Sequence, residues 1–121
     1  MPVILVVEDN EANLELITRF LRREGHQVLC AMDGATGVSM AREHVPVLIL
    51  MDLGLPGMDG WEATRQIRLI PECARIPIVA LTAHSLADDV RKAIAAGFNA
   101  YETKPVVYQR LMSKIKQFVD G

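Results

Sequence analysis

Two stretches of this chain are apolar at every position: Val3-Ile4-Leu5-Val6-Val7 and Val47-Leu48-Ile49-Leu50-Met51. A strand with one face in water alternates apolar and polar residues, so a strand without alternation is covered on both faces. The segments between such runs are amphipathic, and helical crossovers between successive strands are the ordinary way to cover both faces of a sheet. Parallel pairing follows. With 121 residues and 50% hydrophobic content, the chain is expected to form one domain over 1–121.

The rest of the chain supplies the alternating elements. Residues 10–24 place Leu14, Ile17 and Leu21 on one helical stripe, widened by Leu16 and Phe20, with Gly25 as the stop. Gln27 to Ala31 reads as a short strand and 35–44 as a helix, and Pro46 breaks the helical path before the second apolar run. Gly54-Leu55-Pro56-Gly57-Met58-Asp59-Gly60 is dense in turn residues and leads into a helix over 61–70. A loop with Pro71 and Pro77 precedes a strand over 78–81. A helix over 86–96 is expected next, capped near Ser85 and closed by Gly97. A strand over 100–103 and a helix over 107–119 complete five βα units. The predicted class is α/β, a doubly wound (βα)5 fold on a five-stranded parallel sheet.

Charge and composition exclude several functions. Thirteen Lys and Arg against fifteen Asp and Glu give a net charge of -2 without a basic run, which argues against direct nucleic-acid binding. The apolar runs reach about seven residues, far below the roughly 20 of a membrane span. Met1-Pro2-Val3 opens no secretory signal. Cys30 and Cys73 form no CxxC pair and read as reduced, partly buried thiols of a cytoplasmic protein. His26, His44 and His84 lack metal-ligand spacing. Met32, Met40, Met51, Met58 and Met112 read as fillers of core gaps or loops. Trp61 packs at the start of its helix or faces a partner, and the sequence does not choose.

In an open parallel sheet, function gathers outside the carboxyl ends of the strands, where strand order reverses. Glu8, Asp9, Asp52, Thr82 and Lys104 all stand at or just past such ends. Acids after a strand often cap the next helix, and a lone Thr or Lys there is commonly structural. The joint occurrence of all five is what suggests chemistry. Three carboxylates brought together repel unless a cation neutralises them. All-oxygen ligands suit a hard ion, and Mg²⁺ takes one or two carboxylates while keeping waters and phosphate oxygens. Asp9 and Asp52 are the candidate direct ligands, with Glu8 acting through water. Asp52 is also the candidate nucleophile toward phosphorus, giving an acyl phosphate. Lys104 can meet a phosphoryl oxygen as a point charge, and the Thr82 hydroxyl can donate to another.

The motifs Val6-Val7-Glu8-Asp9-Asn10, Met51-Asp52-Leu53-Gly54-Leu55-Pro56-Gly57-Met58-Asp59-Gly60, Thr82-Ala83 and Lys104-Pro105 occur in this order across the whole chain. Together they resemble bacterial response-regulator receiver domains, most of all those of hybrid kinases and single-domain regulators. The resemblance implies a flavodoxin-like strand order 2-1-3-4-5. It implies Asp52 as phospho-acceptor, Glu8 and Asp9 as the acidic pair, and the Gly54 backbone carbonyl as a further ligand of Mg²⁺, or alternatively Mn²⁺. It also implies that Thr82, Ala83 and Lys104 bind the phosphoryl group, that Thr82 and Tyr101 form a switch pair, and that the peptide before Pro105 is cis. Leu55 stands where many members have Met. His84 and Gly54 occupy variable positions that tune phosphoryl lifetime in the family.

A histidine kinase or histidine phosphotransfer protein is the implied donor. With no DNA-binding or enzymatic segment among the 121 residues, the expected output is a protein contact on the last two helices and the last strand, unless the chain is a piece of a longer protein. Leu86, Arg91, Lys92, Val106 and Tyr108 lie on or near that surface, and dimerisation is left open. Rival readings fit less well. A flavin phosphate would be repelled by Glu8-Asp9-Asn10-Glu11, and an aspartate-based phosphatase would carry an acid where Gly54 stands. A receiver-like scaffold that binds partners without phosphorylation is the third reading.

Overall fold

The computed structural model describes residues 3–83 and 90–119, the side chains of Val90 and Arg91 excepted. The expected cap near Ser85, the helix start at Leu86 and the surface positions His84, Leu86 and the Arg91 side chain lie outside the described residues. The strands are β1 (Val3–Val7), β2 (Gln27–Ala31), β3 (Leu48–Asp52), β4 (Ile78–Thr82) and β5 (Ala100–Thr103). The helices are α1 (Glu11–Arg23), α2 (Gly34–His44), α3 (Gly60–Arg68), α4 (Val90–Ala96) and α5 (Tyr108–Phe118). All strands are parallel, in the order β2-β1-β3-β4-β5, which is the flavodoxin-like arrangement. The order reverses between β1 and β3, so the crevice of the fold opens at their carboxyl ends.

The absence of alternation in β1 and β3 has the expected cause, and β4 is covered in the same way. Alternate residues of each strand feed different layers. Ile4, Val6, Leu48, Leu50, Val79 and Leu81 pack with Ile17 and Leu21 of α1 and Leu111, Met112 and Ile115 of α5. Leu5, Val7, Ile49, Met51, Ile78 and Ala80 pack on the opposite face with Val38 and Ala41 of α2 and Ala63 and Ile67 of α3. Each fully buried Leu or Ile contributes roughly 1.5–3 kcal/mol relative to exposure.

Helix starts follow side-chain capping. Asn10 Oδ1 accepts from the Asn13 N–H at 2.9 Å, Asp33 Oδ1 from Thr36 at 2.7 Å and Asp59 Oδ1 from Glu62 at 2.9 Å. α1 stops at Gly25, whose φ of 86° lets its N–H reach the Arg22 carbonyl at 2.9 Å.

Four local expectations need correction. α3 ends at Arg68 instead of residue 70, because Ile70 precedes Pro71 and is held extended at φ -83°, ψ 117°. The segment read as a plain loop then forms a 3₁₀ turn over Pro71–Cys73, which buries Ile70 and Cys73. Cys73 matches the expectation of a covered thiol, with Sγ donating to the Ala41 carbonyl at 3.3 Å. Cys30 does not: β2 is an edge strand with one neighbour, and its thiol is exposed. β3 runs one residue later than 47–51, with Val47 outside the ladder and Asp52 as the last strand residue, paired in register with Leu81. No helix among the described residues is long and apolar enough to cross a membrane.

Candidate functional site

The register carries the polar residues to one edge. Val7 pairs with Met51 and Asp52 with Leu81, so the residues following β1 stand beside the end of β3. Carboxylate oxygens of Glu8, Asp9 and Asp52 all lie within 4.8 Å of one another. Their exposures differ. Glu8 is completely buried and Asp52 only 4% exposed, whereas Asp9 faces solvent. A buried, shaped pair of acids with a third at the mouth is a set of hard oxygen donors of the kind Mg²⁺ accepts.

Each acid is held by specific groups. The Asn10 N–H donates to Glu8 Oε2 at 3.1 Å, and the Gly54 N–H donates to Asp52 Oδ1 at 3.1 Å. Lys104 follows β5 and reaches back over the edge, its Nζ 2.9 Å from Glu8 Oε1 and 3.1 Å from Asp52 Oδ1. The contact with Glu8 Oε1 is a charge contact outside hydrogen-bonding angle, and that oxygen has no other partner among the described residues.

These surroundings push the two buried acids apart. Burial raises the Glu8 carboxyl above its ordinary value, an effect that Lys104 and the Asn10 amide reduce without reversing. Burial would raise Asp52 as well, but the Gly54 amide, the neighbouring Glu8 carboxyl and Lys104 together hold it below its ordinary value. Burial opposes the charge on Lys104, and its contacts with Glu8 and Asp52 overcome that opposition, so its ammonium is raised. Asp52 is therefore held the more acidic of the pair.

The remaining candidates have definite places. Thr82 is the last residue of β4 and is buried, and its carbonyl accepts from the Lys104 N–H at 2.7 Å. Ala83 is exposed beside it. The peptide between Lys104 and Pro105 is cis. Tyr101, on β5, is half-buried and packs against the α2–α3 core layer. It lines a groove of about 250 Å³ with Ala93, Ile94, Phe98 and Lys114. Trp61 packs edge-on against Phe98 at 5.3 Å, with the Lys92 ammonium 5.4 Å from its ring centre. Packing at the helix start thus answers the choice left open for Trp61.

Two supports of the site had no separate signal in the sequence. One is the Asn10 amide under Glu8. The other is Gly60, where a Cβ would lie 2.2 Å from the Asp52 carbonyl oxygen, so that only glycine lets α3 begin against the end of β3. Gly60 closes the turn-rich run in the sequence, but the close approach depends on how α3 docks.

The pattern of the response regulator receiver domain matches residues 4–116, and the chain belongs to that family, whose members are phospho-acceptors of two-component and phosphorelay signalling. The polar-differentiation response regulator DivK of Brucella anthropi is 34% identical over 116 residues, covering 96% of this chain and 94% of that protein. The receiver domain of the sensor histidine kinase PA1611 from Pseudomonas aeruginosa has a TM-score of 0.90 and 38% identity, covering 99% of this chain and 98% of that one, and holds a magnesium ion in its active-site cleft. The receiver domain of the Saccharomyces cerevisiae response regulator Ssk1 was solved with the histidine phosphotransfer protein Ypd1. It is similar at a TM-score of 0.89 and 36% identity, over 97% of this chain and 88% of that one.

Proposed function

We propose that Asp52 accepts a phosphoryl group from phosphohistidine, that Glu8, Asp9, Asp52 and the Gly54 backbone carbonyl hold Mg²⁺ or Mn²⁺, and that Lys104, Thr82 and Ala83 receive the phosphoryl oxygens. The observation that carries this reading is the juxtaposition of the Glu8, Asp9 and Asp52 carboxylates within 4.8 Å, with the Lys104 ammonium touching two of them. An Asp52 carboxylate oxygen attacks phosphorus as the P–N bond of the donor breaks. The bonding pair returns to the imidazole nitrogen, which takes a proton. Bound Mg²⁺ supplies compensation for the charge shared by carboxylate and phosphoryl oxygens.

Lys104 keeps a counter-charge beside the acceptor throughout, and the Gly54 N–H fixes the orientation of the Asp52 carboxylate at 3.1 Å. Attack of water on the acyl phosphate breaks the O–P bond, releases inorganic phosphate and regenerates the carboxylate. The chain thereby catalyses both steps on its own aspartate.

The phosphoryl group adds up to about one negative charge and three acceptor oxygens, by analogy with phosphoserine. Thr82 moves toward it and Tyr101 follows, biasing the surface formed by α4, β5 and α5 toward a protein target. The donor is a histidine kinase or a histidine phosphotransfer protein in the cytoplasm, a reading supported by the likeness to the Ssk1 receiver. The test is incubation with phosphoimidazole, a small P–N donor, with Mg²⁺ or EDTA. The expected product is a hydroxylamine-labile phosphoryl group on Asp52 that forms only with the metal. A stable adduct, or one on another residue, contradicts the reading.

A further inference from the structure

α2 supplies no side chain to the acid cluster, yet it bears on both segments that carry it. A Cβ on Gly34, the first residue of α2, would lie 2.4 Å from the Met58 carbonyl oxygen in the β3–α3 loop. A Cβ on Gly37 would lie 2.9 Å from Val7 Cγ2, and Val7 immediately precedes Glu8. Both glycines are buried, and their spacing of three puts them on one face of the helix. Neither has positive φ, so what glycine contributes is the missing side chain and not an unusual backbone conformation.

The loop is held from its other side by Gly60, against the Asp52 carbonyl, and the Gly60 N–H donates to the Leu53 carbonyl at 3.2 Å. Residues 53–59 are thus clamped between the first turns of α2 and α3, each capped by an aspartate, Asp33 and Asp59. Gly54, whose N–H orients Asp52, lies inside the clamp.

Resting on the metal reading above, we propose that Gly34 is a positioning residue for phosphorylation: the start of α2 is the seat that sets the β3–α3 loop, and with it the Gly54 backbone, against Asp52. A methyl group at position 34 meets a backbone carbonyl, which cannot swing aside as a side-chain tip does. The loop must move instead, and with both its ends fixed the movement reaches Gly54. A supporting shift of about 1 Å is enough to cost 10²-fold in a positioned reaction.

The experiment is calorimetric titration of Mg²⁺ into wild type, Gly34→Ala and Val38→Ala, well below the unfolding midpoint of each, with the Mg²⁺ dependence of phosphorylation by acetyl phosphate measured alongside. Val38 is a buried α2 residue, so its truncation costs stability without pushing the loop. Gly34→Ala is expected to bind Mg²⁺ about tenfold more weakly or worse, as loss of an outer support does. It should need correspondingly more Mg²⁺ for half-maximal phosphorylation, while Val38→Ala matches wild type. Wild-type Mg²⁺ affinity in Gly34→Ala overturns the inference, as does equal weakening in Val38→Ala. A wild-type chain that binds no Mg²⁺ overturns the metal reading itself. If Gly34→Ala does not fold, nuclear magnetic resonance on wild type decides: the Gly34 amide should shift along the same Mg²⁺ titration curve as Gly54, and a Gly34 amide that stays put while Gly54 moves contradicts the clamp.

Discussion

Lys104 and the fully buried Glu8 meet across the sheet edge, the ammonium 2.9 Å from Glu8 Oε1 while also reaching Asp52 Oδ1 at 3.1 Å. One cation therefore serves two acids from a neighbouring pair of strands. Removing it leaves a buried carboxylate without compensation. Lys104→Met is expected to lose about 2 kcal/mol of stability in EDTA, less than a fully enclosed pair because a fifth of the Lys104 side chain is exposed and Glu8 can take up a proton. Urea unfolding with EDTA and with Mg²⁺ checks this, and the deficit should shrink when the metal is present.

The two acids give opposite pH dependences in separate windows. Glu8 is raised in the folded chain, so its contribution is full below its ordinary value of 4.5 and is lost as pH rises through the raised folded value. Asp52 is lowered, so its contribution is present above its ordinary 3.8 and is lost as pH falls through the lowered folded value. In EDTA, the stability of wild type relative to Glu8→Gln should fall as pH rises above 4.5. Urea midpoints measured from pH 4 to 8 would show a flat difference if burial of Glu8 were not the cause.

Much of this was readable from residue order, and the unread part has specific causes. Continuous apolar runs announced β1 and β3, and Gly25 and Gly97 closed their helices as expected, both with positive φ. Parallel strands alone put Glu8, Asp9, Asp52 and Lys104 on one sheet edge, and the strand order implied by the family resemblance brought β1 beside β3. Asp52 and Thr82 proved to be last residues of strands because each still finds a register partner, Leu81 and Thr103. The 3₁₀ turn was missed because Cys73 is buried only when the segment docks against α2, where its thiol meets the Ala41 carbonyl, whereas the exposure of Cys30 was already implied by the order 2-1-3-4-5, which places β2 at an edge. The contacts of Gly34 with Met58 and of Gly60 with Asp52 arise only when helices dock.

Val45 caps α2 at φ 45°, the sole described non-glycine residue with positive φ, and β-branched residues are strained there. It is also 44% exposed, so the packing it offers in return is only partial. Val45→Asn should raise stability by about 1 kcal/mol, since Asn tolerates the left-handed conformation. Denaturant unfolding reads this directly, and a loss of stability would show that Val45 contributes packing that outweighs the strain.

Thr64 on α3 is completely buried, and its hydroxyl has no hydrogen-bond partner among the described residues. An unpaired buried hydroxyl costs about 1–3 kcal/mol, whereas a methyl group of the same shape does not. Thr64→Val is expected to stabilise the fold by about 1 kcal/mol while leaving Mg²⁺-dependent phosphorylation at the wild-type rate. Unfolding midpoints and phosphorylation kinetics on the same preparation check both halves.

The central claim is that Asp52 accepts a phosphoryl group with help from a divalent cation bound by its acidic neighbours. Intact mass after incubation with acetyl phosphate, for wild type and Asp52→Asn with Mg²⁺ or EDTA, tests it most directly. A single phosphoryl adduct on wild type with Mg²⁺ alone, absent from Asp52→Asn and from EDTA samples, is the predicted result. An adduct that survives Asp52→Asn, or none on wild type with Mg²⁺, would contradict it.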